Sequence, residues 1–212
     1  MSAAANRRPL KSRSSGWARV LAAWLVRTSV TPDAISVASV VFAALGAAAL
    51  TFSGAPWALL VCALCIQLRL LCNLLDGMVA VEGGKGSPVG GLYNEIPDRI
   101  ADSAFIVAAG YAAGPAWLGW CGALMAIATA YIRALGGTLG LAQDFRGPMA
   151  KPHRMAVLTA ACVLGAAEAY LRHSQYALRA ALWVIVLGGL LTCVRRTHAL
   201  ARALTARARP GA

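Results

Sequence analysis

Six apolar runs, each near the ~20 residues that carry a helix across a bilayer, are separated by short polar or glycine-rich turns. They lie at 32–52, 57–80, 92–113, 117–141, 155–171 and 176–194. In lipid every backbone polar group needs an internal partner, and a helix supplies one for each. The expected fold is therefore an all-α membrane protein of six transmembrane helices. Composition agrees, with 59% hydrophobic and only 13% charged residues, against about a quarter charged in soluble domains. Thr31 can cap the first span, and Pro32 sits at its first helical position. Ahead of it, "MSAAANRRPLKSRSSGWAR" has no apolar core before its basic residues, so no cleavable signal peptide is expected.

The formal charge of +12 collects at the two ends. Arg7, Arg8, Lys11, Arg13, Arg19 and Arg27 precede the first span, and Arg195, Arg196, Arg202, Arg207 and Arg209 follow the last. Such flanks mark topology and contact with anionic lipid rather than nucleic acid. The organisation read from this is a basic segment at 1–30, a six-helix domain at 31–203 and a basic tail at 204–212. The turns at 53–56 and 111–116 carry no charge, whereas the loop at 142–154 carries Arg146, Lys151 and Arg154. Both termini and the loops at 81–91 and 142–154 are thus expected in the cytoplasm, as in a bacterial inner-membrane protein. The six cysteines lie inside apolar segments, and Cys62 and Cys65 have no second ligand pair, so neither zinc nor a disulfide framework is implied.

Five of the eight acidic residues fall in one window, "CNLLDGMVAVEGGKGSPVGGLYNEIPDRIAD": Asp76, Glu82, Glu95, Asp98 and Asp102. Asn73, Asp76 and Ala80 share a helix face on the second span, while Asn94, Asp98 and Asp102 share one on the third. The short glycine-rich loop between the spans suggests antiparallel neighbours with two facing rows of oxygen ligands. A carboxylate at membrane depth costs about 2.5–3.5 kcal/mol on insertion scales and points to function. Oxygen ligands without His or Cys suit a hard cation, and divalent ions serve phosphate and pyrophosphate substrates. The competing reading is that these acids are solvated, or paired with Arg69, Arg99 and Arg133.

From Asn73 to Asp98 the window resembles the signature of the CDP-alcohol phosphatidyltransferase family, D-x2-D-G-x2-A-R-x8-G-x3-D-x3-D. Asp76, Gly77, Ala80, Gly90 and Asp98 fall in register without a gap. Asn73, Val81 and Asn94 stand where the signature has acid, arginine and acid. A second register, ending on Asp98 and Asp102, needs a four-residue insertion and puts Asn94 at the glycine position, so the gapless one is preferred. "VTPDAISV" also resembles the family's approach to its first span, and six spans with cytoplasmic termini match its architecture. The resemblance implies that a phosphatidyl group passes from a CDP-alcohol such as CDP-diacylglycerol to an alcohol, with release of CMP. It implies one or two Mg²⁺ or Mn²⁺ ions on Asn73, Asp76, Asn94 and Asp98, with Glu95 and Asp102 as substitutes. It further implies Asp98 as general base and a nucleotide seat at Asp76, Gly77, Ala80 and Gly90. A catalytically silent relative serving as a membrane binding subunit is the alternative, and a small cation-site transporter a more distant one.

Arg133, Lys151 and Arg154 are candidates for the phosphate of an acceptor or lipid, or else positive-inside charges. Arg133 and Arg69 lie deep enough to pair with the acids. His153, His173 and His198 show no ligand spacing. Glu168, near the outer end of the fifth span, is expected to snorkel or to pair with Arg172 at i+4. "GGTLG" at 136–140 and the alanine-rich spans suit close helix packing, including a homodimer, and the tryptophans suit interface anchors.

Overall fold

The computed structural model describes residues 15–172 and 174–208. The basic residues Arg7, Arg8, Lys11, Arg13 and Arg209, together with His173, lie outside the described residues. Among the described residues seven α-helices follow one another: α1 (Gly16–Val26), α2 (Pro32–Ala49), α3 (Pro56–Glu82), α4 (Gly90–Ala113), α5 (Ala116–Thr138), α6 (Lys151–Arg172) and α7 (Tyr176–Arg207). The helix starts obey local chemistry. The Thr31 hydroxyl accepts from Ala34 N at 3.2 Å, and Pro32 opens α2. Gly114, with φ +98°, ends α4.

Among the described residues five helices, α2, α3, α5, α6 and α7, are long and apolar enough to cross a membrane. The expected sixth, α4, has the length, at 24 residues, but its charged residues Glu95, Asp98, Arg99 and Asp102 lower its hydropathy. Two elements differ from the sequence expectation. The basic N-terminal segment contains a helix, α1, whose Ala18 and Ala22 pack with Leu74, Leu75 and Met78 of α3. And α7 continues past Val194, where its apolar pattern ends, to Arg207.

The helices close a ring: α2 packs on α3 and α4, α4 on α5, α5 on α7, α7 on α6, and α6 on α3. This corrects the expected close packing of α3 on α4: α2 is wedged between their backbones, and long polar side chains, Arg69 and Asn73 of α3, reach across to Asp98 and Asp102 of α4. Small residues on α2 allow the wedge. A Cβ at Gly46 would lie 2.5 Å from the Phe105 ring of α4 and 2.8 Å from Cys65 Cβ of α3. Gly46→Val is therefore expected to overpack both seams and cost about 1–3 kcal/mol, read as a lower Tm in detergent. Inside the ring, Leu59, Ile66, Phe105, Ile106, Leu158 and Ile185 form the apolar core.

The end away from the acids is tied by capping. Glu168 accepts from Ser174 Oγ at 2.6 Å, Tyr176 N at 2.8 Å and Ala177 N at 2.9 Å. Its hydrogen bonds thus go to the start of α7, where three free donors converge, and Arg172 adds only a longer-range attraction. Gly136 of "GGTLG" also packs inside the chain, its Cβ position 2.7 Å from Leu200 of α7.

Candidate active site

Because α2 holds α3 and α4 apart, their polar faces border a cleft instead of a packed seam. On α3, Asp76 is only 2% exposed, and its Oδ2 accepts from Ser36 Oγ of α2 at 2.6 Å. Its Oδ1 is buried and accepts no hydrogen bond among the described residues, and the same holds for Asn73 Oδ1. The Asn73 amide is turned so that Nδ2 donates to Asp98 Oδ1.

On α4, Asp98 is surrounded by cations. Arg69 Nη2 lies 3.0 Å from its Oδ1, Lys151 Nζ donates to its Oδ2, and Arg99 Nη2 stands 3.6 Å from the same oxygen. Asp102, one turn on, is held by Arg69 at 2.6 Å and Arg154 at 3.1 Å. Arg69 is fully buried between the two carboxylates. Glu95 is exposed and pairs with Arg99 at 2.9 Å and Arg133 at 2.5 Å. The pairing expected of Arg69, Arg99 and Arg133 is thus present in full. Arg133 also donates to Gln143 at 3.3 Å and lies over the Phe145 ring at 5.4 Å.

The cleft has two chambers. The smaller, about 380 Å³, is bordered by Ser36, Asp76, Gly77, Ala80 and Gly90, with Asp33 and Ser87 at its edge. All four residues proposed from sequence as the nucleotide seat line it. The larger, about 670 Å³, is bordered by Asn73, Asp98, Arg133, Lys151, Arg154 and Arg196, with an apolar wall from Leu70, Leu71 and Leu74. All three candidate phosphate-binding side chains line this one. Gly77, Asn94, Glu95 and Arg133 belong to both, so the chambers meet there. Around Asp98 and Asp102 the cations outnumber the carboxylates, an arrangement that suits an anionic ligand.

The loop bordering the larger chamber is pinned from α7. Arg196 donates to Arg146 O at 2.8 Å and to Thr129 O at 2.6 Å, and Met149 N donates to Thr192 Oγ1 at 3.0 Å. Gly147 takes φ +123° against the Thr192 side chain, which leaves no room for a Cβ. Arg154 completes the clamp, donating to Met149 O at 2.9 Å and Thr129 Oγ1 at 3.1 Å. Over the smaller chamber, Ser87 donates to Asp33 Oδ2 at 3.1 Å, and Lys85 to Thr28 O at 2.5 Å, fastening the glycine-rich loop to the start of α2.

Sequence reasoning missed Ser36, Thr129, Thr192 and Arg196. The one signal available was Arg196, read as half of a basic flank. On the lengthened α7 it turns inward and is 3% exposed. His153 and His198 are exposed and take no part. Among the described residues, no group of three or more His, Cys, Asp or Glu is placed to hold a metal.

A ring of helices, five of them long and apolar enough to cross a membrane, around a charged, two-chambered cleft defines a helical membrane protein with a polar ligand site at one end. No family model matches the chain. Curated proteins do. The chain is 26% identical over 194 residues to the phosphatidylinositol phosphate synthase of Mycobacteroides abscessus, covering 85% of this chain and 81% of that protein. It is 28% identical over 192 residues to the one of Streptomyces avermitilis, covering 85% and 76%. The crystal structure of Mycobacterium tuberculosis phosphatidylinositol phosphate synthase (PgsA1) with CDP-DAG bound matches at a TM-score of 0.72 and 23% identity, over 88% of this chain and 94% of that one. The same protein in complex with manganese and citrate matches at 0.71 and 23%, over 92% and 90%. These last two likenesses are of fold. The names of these relatives agree with the CDP-alcohol phosphatidyltransferase resemblance carried by the window from Asn73 to Asp98.

Proposed function

We propose that this protein is an integral-membrane phosphotransferase of phospholipid biosynthesis. It moves a phosphatidyl group from a CDP-linked lipid such as CDP-diacylglycerol to an alcohol that carries its own phosphate, and CMP leaves. The observation that carries this is the pair of chambers meeting at Gly77, Asn94, Glu95 and Arg133. The smaller takes the nucleotide against Gly77 and Ala80, where the helix has little side-chain bulk. The larger, with Arg133, Lys151 and Arg154, takes an acceptor phosphate by charge-assisted hydrogen bonds. The names of the relatives favour an inositol phosphate as that acceptor.

The oxygens of Asp76 and Asn73 left without donors fit a hard divalent cation. They would hold Mg²⁺ or Mn²⁺, whose charge offsets that of the donor pyrophosphate when bound. Asp98 is the carboxylate on the acceptor side. When an acceptor phosphate draws the Lys151 ammonium away, Asp98 Oδ2 is released to accept the attacking hydroxyl's proton, while Arg69 keeps Oδ1 fixed. The hydroxyl then forms a bond to the β-phosphorus as the bond to CMP breaks.

Orientation completes the reading. Taking α4 as a sixth span despite its charges puts both termini and the cleft at one membrane face, the cytoplasmic one by the charge rule. The bacterial relatives favour the inner membrane, and the alanine-rich helices favour a homodimer.

Purified protein in lipid, given CDP-diacylglycerol, Mn²⁺ and a mixture of inositol phosphate, inositol, glycerol and serine, tests the acceptor. The lipid product is expected to carry the extra phosphate; a product from an unphosphorylated alcohol contradicts the acceptor reading. The ring of cations on Asp98 favours a second reading, a silent relative that binds donor without turnover. Donor binding with no CMP release decides for it.

A further inference from the structure

We infer that this chain has replaced a divalent ion at Asp98 with its own fixed cations, Arg69 and Lys151, so that it holds a single divalent ion, on the Asp76 side. The inference rests on the cleft being the phosphotransferase site described above, and it concerns the protein's own side chains there.

Both oxygens of Asp98 are engaged. Oδ1 accepts from Arg69 at 3.0 Å and from the Asn73 amide, and Oδ2 accepts from Lys151, with Arg99 at 3.6 Å. Arg69 also donates to the Asp98 main-chain oxygen at 3.2 Å. A divalent ion binding Asp98 would have to displace one of these groups and then sit beside the others, cation against cation. Arg69 cannot swing aside. It is fully buried, and its guanidinium is shared with Asp102, which Arg154 holds from the other side. Asn73 points the same way: a neutral amide that donates through Nδ2 steadies Asp98, whereas a carboxylate in its place would repel it.

Asp76 differs on each count. It is 2% exposed, makes no ion pair among the described residues, and its hydrogen bonds come from neutral donors, the Ser36 hydroxyl and the Gly77 main chain. Its Oδ1 is buried and accepts no hydrogen bond among the described residues. A lone buried carboxylate with a vacant oxygen bordering a chamber is costly unless a cation meets it. Asn94, which borders the same chamber, and oxygens of a bound ligand would complete the shell of an ion there.

Counting ions separates this from the function reading. The wild-type protein in detergent, freed of metal with chelator, is titrated with Mn²⁺ while free ion is followed by electron paramagnetic resonance. One Mn²⁺ per chain is expected, unchanged in Asp98→Asn and weakened at least tenfold in Asp76→Asn, with thermal unfolding confirming that each variant is folded. Two ions per chain, no ion, or loss of the ion in a folded Asp98→Asn overturns the inference; the wild-type count decides if a variant fails to fold. One bound ion without CMP release would leave the inference standing and defeat the transferase reading. CMP release with two bound ions would do the reverse.

Discussion

Asparagine at Asp98 is expected to lower CMP release by roughly 10²–10⁴-fold, the range that a positioned general base contributes. The substitution keeps the shape and one acceptor oxygen, so Arg69 retains a partner, and it removes only the group able to take a proton. Donor is expected to bind as before, because the nucleotide chamber is lined by Asp76, Gly77, Ala80 and Gly90 and not by Asp98. The loss therefore falls on kcat, with little change in the KM for CDP-diacylglycerol. Steady-state kinetics on reconstituted protein check this. A variant that keeps more than about half of the rate removes Asp98 from the chemistry, at variance with the base role proposed for it.

The largest effect on stability is expected at Arg69. Its guanidinium is the shared partner of two buried carboxylates, at 3.0 Å from Asp98 and 2.6 Å from Asp102. Arg69→Met keeps much of the volume but leaves that charge without its central cation. Removing one partner of a buried ion pair costs about 3–5 kcal/mol, mostly the desolvation of the charge left behind. Adding Asp102→Asn should recover part of the loss, since it removes one of the stranded charges, and a double-mutant cycle measures the coupling. Thermal or denaturant unfolding in detergent is the readout. A loss below about 1 kcal/mol would mean that water or Lys151 can replace the guanidinium, and that Arg69 is not the fixed cation described above.

Why some of this was legible in sequence and some was not is physical. Asp76, Gly77, Ala80 and Gly90 lie within one local stretch whose spacing carries its own geometry, and they line one chamber together. Arg69 and Arg133 were legible as partners because a charge at membrane depth must find one, and both did. The wedge of α2 was not legible. A short loop between α3 and α4 makes them neighbours along the chain, but the small Gly46 on a different helix decides what separates them. Ser36 and Arg196 reach the site from far along the chain, and a lone serine or a basic flank carries no mark of where it will pack. The capping role of Glu168 was hidden for a related reason: its donors, Ser174 Oγ and the first amides of α7, become available only when that helix folds back. For α4, the same four charged residues that build the site remove it from the helices that qualify as spans by hydropathy.

The measurement that bears most directly on the central claim is CMP release by the reconstituted wild-type protein. It is supplied with CDP-diacylglycerol and inositol phosphate, with and without Mg²⁺ or Mn²⁺. Release that requires the metal and stops in Asp76→Asn is the expected result. No CMP above background, from protein shown to bind CDP-diacylglycerol, would contradict the transferase reading and leave a membrane protein that holds its donor without using it.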